Sequence, residues 1–183
     1  MIASKGAVIQ ILADKKSQSI PRLGFFTVTY VLSDWKERDP ADIMHQAGLT
    51  VKIAKGLDLV GGYHYTAVTG FRPSTSLKYS FHRKNWLWVL SPRIDLTNET
   101  NYEVFTNLQY APPIGNHWKF LTKLQGLYVL SVKENIHQRS YALARIGLRY
   151  KEFAFGPGLN FDYFGPVKNR IFNAGVFLSA ELF

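Results

Sequence analysis

Apolar and polar positions alternate along most of the chain, and a period of two is that of a strand whose successive side chains point to opposite faces. The alternation is clearest over residues 139–163. In the first half Ala142, Ala144, Ile146, Leu148 and Tyr150 share one face, while Tyr141, Arg145 and Arg149 share the other. After a turn at Lys151 and Glu152, the residues Phe153, Phe155, Pro157, Leu159, Phe161 and Tyr163 form an unbroken apolar row opposite Gly156, Gly158, Asn160 and Asp162. Strands of soluble sandwiches usually run about five or six residues. Roughly ten residues is what a tilted strand needs to cross the hydrocarbon layer. The pattern predicts an all-β fold, an antiparallel up-and-down transmembrane β-barrel with the greasy face in acyl chains and the ionic face toward an enclosed axis.

Taken in order, residues 6–13 are a short apolar run closed by the polar segment DKKSQSIPR. In the first long strand Phe26, Val28, Tyr30 and Leu32 share a face, against Thr27 and Thr29. Residues 34–46 interrupt the pattern, and Asp39 followed by Pro40 predicts a helical turn through Met44, an N-cap followed by proline at the first helical position. Leu49, Val51 and Ile53 then oppose Thr50 and Lys52; beyond the turn at Lys55 and Gly56, Leu57, Leu59, Tyr63 and Tyr65 oppose Asp58, His64 and Thr66. GFRPSTS, residues 70–76, reads as a loop. Leu77, Tyr79 and Phe81 then alternate with Lys78, Ser80 and His82, and Trp86, Trp88, Leu90 and Ile94 with Ser91, Arg93 and Asp95. Pro92 removes a ladder hydrogen bond and implies a bulge or an unpaired position. Two more long strands follow, one with Glu103, Asn107 and Gln109 inside and one with Lys119, Lys123 and Gln125 inside. The last strand carries Phe172, Ala174, Val176, Leu178, Ala180 and Leu182 on one face.

Residues 23–183 are thus a barrel domain of about ten strands, with twelve as the alternative. Residues 1–22 form an N-terminal segment that is an extra strand, a plug or a docked tail. The start has a Lys and a short apolar run broken by Gln10, which reads as a mature chain behind an initiator Met rather than a signal peptide.

Composition sharpens this picture in three ways. Aromatics make up 15% of the 183 residues, enough to supply interfacial girdles. With the C-terminus placed on the periplasmic side, Trp86, Tyr110, Trp118, Tyr150, Phe153 and Phe183 fall near one rim, and Trp35, Tyr65, Tyr102, Tyr128 and Tyr163 near the other. The absence of cysteine removes thiolate catalysis and cysteine metal sites. The net charge of +9 suits an acidic partner, but the basic residues form no stripe and accompany no recognition helix, so nucleic acid is excluded in favour of anionic lipid.

Strands of this kind in a chain ending LSAELF, with the terminal aromatic Phe183, resemble the small Gram-negative outer-membrane β-barrel proteins of the Bacteroidota type. The resemblance covers most of the chain and is one of pattern. Two residues before the end, Glu181 stands where that family carries an apolar or aromatic side chain. The resemblance implies a porin-like location in the bacterial outer membrane, with membrane lipids, including lipopolysaccharide, and other outer-membrane proteins as partners.

Three groups of residues are candidates for function. Lys52, Lys78, Arg93, Lys119, Lys123, Arg145 and Arg149 face Asp58, Asp95, Glu103, Asp162 and Glu181 inside the wall, a lumen network that must pair because isolated charges in a low-dielectric interior are costly. Its readings are a salt-bridged core that closes the lumen or a narrow anion-preferring pore. Ser80, His82, Asp95 and His64 are the inward groups from which a lipid-modifying enzyme would draw a nucleophile, base and acid. Lys36, Arg38, Arg72, Arg139, Lys168 and Arg170 are assigned to outer loops that meet lipid headgroup phosphates. No metal or cofactor is called for. The function expected is that of a structural or small-pore barrel, alone or in a larger envelope assembly; the alternatives are the lipid-modifying enzyme and a soluble barrel that holds an apolar ligand against the row from Phe153 to Tyr163.

Overall fold

In the computed structural model, which describes residues 1–4, 6–36 and 42–181, the chain is a closed antiparallel barrel of twelve strands. They are β1 (Ile2–Ala3), β2 (Gly6–Lys16), β3 (Leu23–Asp34), β4 (Asp42–Ala54), β5 (Leu57–Thr66), β6 (Gly70–Arg83), β7 (Trp86–Asp95), β8 (Asn101–Tyr110), β9 (Trp118–Ser131), β10 (Ile136–Tyr150), β11 (Phe153–Phe164) and β12 (Asn169–Ala180). Each strand from β2 to β12 pairs with its sequence neighbours, so every wall contact but one is a hairpin. Closure falls to β1, where Ile2 opposes Ala7 of β2 on one side and Val176 of β12 on the other. We call the end where β12 finishes the lower rim and the opposite end the upper rim.

Twelve is the higher of the two expected counts, and it is reached because residues 2–16 lie in the wall. The boundary drawn at residue 22 falls inside the turn that joins β2 to β3. Three lower-rim connections are two residues long, and each places a residue in the left-handed region, Gly56 at φ 74°, Lys84 at φ 51° and Lys151 at φ 50°. Such a twist matches that of the flanking strands.

Three sequence expectations are corrected. Residues 42–46 are strand, not the end of a helical turn: Leu32 opposes Asp42 and Val28 opposes Gln46, a ladder that satisfies this backbone and overrides the capping signal. Asp39 and Pro40 lie outside the described residues. GFRPSTS is the first part of β6, with Phe71, Pro73 and Thr75 turned outward and Arg72, Ser74 and Ser76 inward; its polar look comes from the small residues that fill the lumen. Finally, the apolar row of β3 points inward. Val28, Tyr30 and Leu32 are buried, and Phe25 and the threonines take the outer face. Tyr30 and Leu32 pack with Val8 of β2, against Met1 and Met44, while Phe177, Leu121, Ala154 and Ala111 form a second interior cluster. The interior therefore holds two apolar clusters among its ionic groups.

At Pro92 the expected gap is present. The β6–β7 ladder runs from Ser76 opposite Arg93 to Tyr79 opposite Leu90 with the residues between unpaired, while Pro92 keeps its place opposite Val104 on β8.

Backbones approach closely where glycines face one another. Gly48 opposes Gly62, and a Cβ on Gly62 would lie 2.0 Å from the main-chain oxygen of Ala47. Gly62→Ala is expected to push these strands apart and to cost about 1–3 kcal/mol, the usual range for overpacking, read as a lower unfolding midpoint of the purified barrel.

Candidate functional site in the lumen

The inward charges fall into tiers along the axis. Near the upper rim, Arg93 of β7 reaches across to Glu103 of β8, with Nε to Oε1 at 3.3 Å and Nη2 to Oε2 at 2.9 Å, and it also donates to Asp95. The fork fits because Arg93 and Glu103 are direct cross-strand partners, so the planar guanidinium meets the carboxylate edge to edge. Arg93 is 2% exposed. Arg72 of β6 extends the tier, 3.6 Å from Asp95 and 3.2 Å from Glu99. His64 of β5 sits opposite Arg72, buried, with its Nδ1 unpartnered among the described residues.

A second upper group is built on β10. Arg139 donates to Asp42 of β4 and lies 3.4 Å from Asp162 of β11. Its guanidinium sits over the rings of Tyr30, Tyr141 and Phe164, with centroids at 5.4, 5.6 and 4.9 Å, and Tyr30 and Tyr141 stack at 6.2 Å. Cation–π contact gives this cation a second kind of partner in a dry interior.

Toward the lower rim, Lys78 of β6 holds Asp14 of β2 at 2.5 Å and Asp58 of β5 at 3.6 Å, and Lys16 holds Asp58 at 2.7 Å. Lys52 lies opposite Asp58 in register but is exposed at the rim. Arg149 donates to Glu181. Lys119, Lys123 and Arg145 have no carboxylate within ion-pair distance among the described residues.

These placements answer the sequence candidates one by one. Asp58, Lys78, Arg93, Asp95, Glu103 and Asp162 meet in ion pairs inside the wall. Arg72 and Arg139, assigned to outer loops, are corrected: both point into the lumen, because Arg72 continues the inward parity of β6 and Arg139 that of β10. Lys36, Lys168 and Arg170 are exposed at the upper rim, and Arg38 lies outside the described residues. Ser80, His82 and Asp95 do not converge. Ser80 opposes Val89 and His82 opposes Leu87 near the lower rim, whereas Asp95 opposes Ser74, several residues and roughly 20 Å further along at strand spacing. His64 is at the upper end. No group of His, Asp or Glu with metal-ligand geometry occurs among the described residues.

Asp14, Lys16, Asp42 and Glu99 were missed. For Asp14 and Lys16 a signal exists, since they continue the alternate positions of Val8 and Gln10 on a run read as too short. For Asp42, 97 residues from its partner Arg139, none does.

The outer surface is the reverse of the lumen. Leu124 is 51% exposed and Leu178 73%, and Leu49, Leu59, Leu77, Ile146, Phe155, Leu159 and Val176 stand out of the wall with them. Aromatic side chains gather at both ends of this belt. Trp86 packs tilted against Tyr110, ring centroids 4.4 Å apart, and Trp118 against Tyr150 at 4.8 Å, at the lower rim; Trp35, Tyr65 and Tyr102 stand exposed toward the upper rim. Phe183 lies outside the described residues.

No family model matches the chain, and no curated protein does. Among solved structures it is similar to LpxR from Salmonella typhimurium, at 9% sequence identity, over 98% of this chain and 90% of that chain, with a TM-score of 0.39. At that distance the chemistry has to be read from this chain's own residues.

Proposed function

We propose that this protein is a structural barrel of the bacterial outer membrane, its apolar belt in acyl chains and its lumen closed by ion pairs. The observation that carries the reading is the inversion of the usual order: large apolar side chains encircle the outside between two aromatic rims, while Arg93, Asp95 and Asp162 are buried inside. Monomeric soluble proteins rarely expose apolar patches beyond a few hundred Å². A sheet in lipid must close so that no edge is left unpaired. Lipid takes up this surface, and the exposed cations Lys36, Lys168 and Arg170 at the upper rim are suited to headgroup phosphates.

The closed-lumen reading rests on the tiers of paired side chains crossing the axis. A soluble carrier would turn the row from Phe153 to Tyr163 toward a cavity, yet Phe153, Phe155 and Leu159 are exposed on the outside. A hydrolase built from Ser80, His82 and Asp95 would need them within hydrogen-bond reach, and the register keeps them apart.

Extraction is expected to require detergent, and the folded protein should migrate differently on a gel before and after heating. In a planar bilayer the purified barrel is expected to be silent. Stepwise conductance would instead make it a pore, and a monodisperse protein without detergent would end the membrane reading.

A further inference from the structure

Charge is distributed unevenly along the axis. In the upper half every inward arginine, Arg72, Arg93 and Arg139, has a carboxylate partner. Along the lower half of β9 and β10 the opposite holds. Lys119 stands directly opposite Arg149, and Lys123 directly opposite Arg145, all four on the inward face. Like charges facing each other across a ladder repel, and here two such rows flank the Leu121–Gly147 pair on the same face.

The neighbours do not relieve this. On the β8 side Lys123 meets Gln109, and Gln125 above it meets Asn107. On the β11 side Arg149 meets Ala154 and Arg145 meets Gly158. The missing side chain at Gly158 lets Arg145 lie flat on the wall: a Cβ there would come within 2.8 Å of its Cδ. Arg145 is pinned by two main-chain carbonyls, Ala144 O and Leu159 O, each at 2.9 Å. Those bonds fix the guanidinium, and no carboxylate of the described residues lies within ion-pair distance of it. Glu181, just past the end of β12, is taken by Arg149.

A way in exists. At the lower rim a cleft of about 390 Å³ is lined by Asn116, His117, Trp118, Lys119, Arg149 and Lys151, with Glu152 as its acid. That is the volume of a small-ligand site.

We propose that the lower lumen is a phosphate-binding site, in which a phosphate group seats between Lys123 and Arg145, with Lys119 and Lys151 drawing it in through the cleft. A phosphomonoester carries about −1.5 to −2 charge near neutral pH, which matches two facing cations; a single carboxylate neutralises only one. The ligand is inorganic phosphate or a phosphomonoester, including that of a lipid headgroup.

The test titrates the detergent-solubilised barrel with inorganic phosphate, with glycerol 3-phosphate and with short-chain phosphatidic acid, and follows the unfolding midpoint and the heat of binding. Wild type is expected to bind at least one saturably at millimolar concentration or below and to gain thermal stability. The arm that binds most tightly separates a free phosphate from a headgroup. In K123Q the affinity should fall by about tenfold or more, the order of a lost charge-assisted contact, while K52Q at the same rim leaves it unchanged. Without phosphate, K123Q should unfold at a higher temperature than wild type, because a repelling pair is gone. The proposal is overturned if none of the three ligands binds saturably, if K123Q binds as wild type does, or if K123Q lowers the midpoint in phosphate-free buffer.

Discussion

Arg93→Ala is expected to destabilise the barrel by about 3–5 kcal/mol, the cost of stripping one partner from a buried ion pair. Arg93 is almost wholly enclosed and serves both Glu103 and Asp95, so its removal leaves two carboxylates facing each other in a dry space. Arg72, 3.6 Å from Asp95, compensates only part of this. The measurement is a denaturant unfolding curve in lipid vesicles, followed by tryptophan fluorescence. Combining Arg93→Met with Asp95→Asn and Glu103→Gln should recover most of the loss, since the harm lies in the uncompensated charges and not in the missing cation. At the lower rim Arg149→Ala removes a pair whose acid, Glu181, is 63% exposed, and it should cost less than about 1 kcal/mol. Equal losses at the two positions would mean that the interior is wet throughout.

The second large effect is expected on the outside. Leu124 stands midway along β9, opposite Leu108 and Ala144. Leu124→Arg should cost about 2–4 kcal/mol in a bilayer, and Phe153→Arg at the lower rim about 0–1, following the depth dependence of charge on a lipid face. In a water-exposed wall neither substitution would matter much, because surface changes away from special features stay within about 0.5 kcal/mol. Refolding both variants into vesicles of one composition gives the comparison directly, and no difference between them would sink the lipid reading.

The alternation made the outer face of most strands legible because the outward positions are apolar and uncharged in succession, as at residues 153–163. It misled on β3, where Val28, Tyr30 and Leu32 looked suited to lipid. A lumen must also be filled, and an apolar filling leaves the same pattern on the opposite face. The ion pairs were half legible. Arg93 and Glu103 follow from hairpin register, whereas Arg139 with Asp42 and Lys78 with Asp14 join strands far apart in the chain, and no local pattern encodes them. The like-charged rows Lys119–Arg149 and Lys123–Arg145 are visible in sequence only as four more basic residues. Their meaning comes from standing opposite one another.

The way the circle is completed has a bearing on how the protein is made. Eleven of the wall's junctions join neighbours in sequence and can form as soon as each hairpin is synthesised, at little loop-closure cost. The junction between Ile2 and Val176 is of another kind, since it waits for nearly the whole polypeptide and then rests on a pair of residues. Assembly should therefore pass through a curled, unsealed sheet that carries its greasy and charged faces already sorted, with ring formation as the last and most easily reversed event.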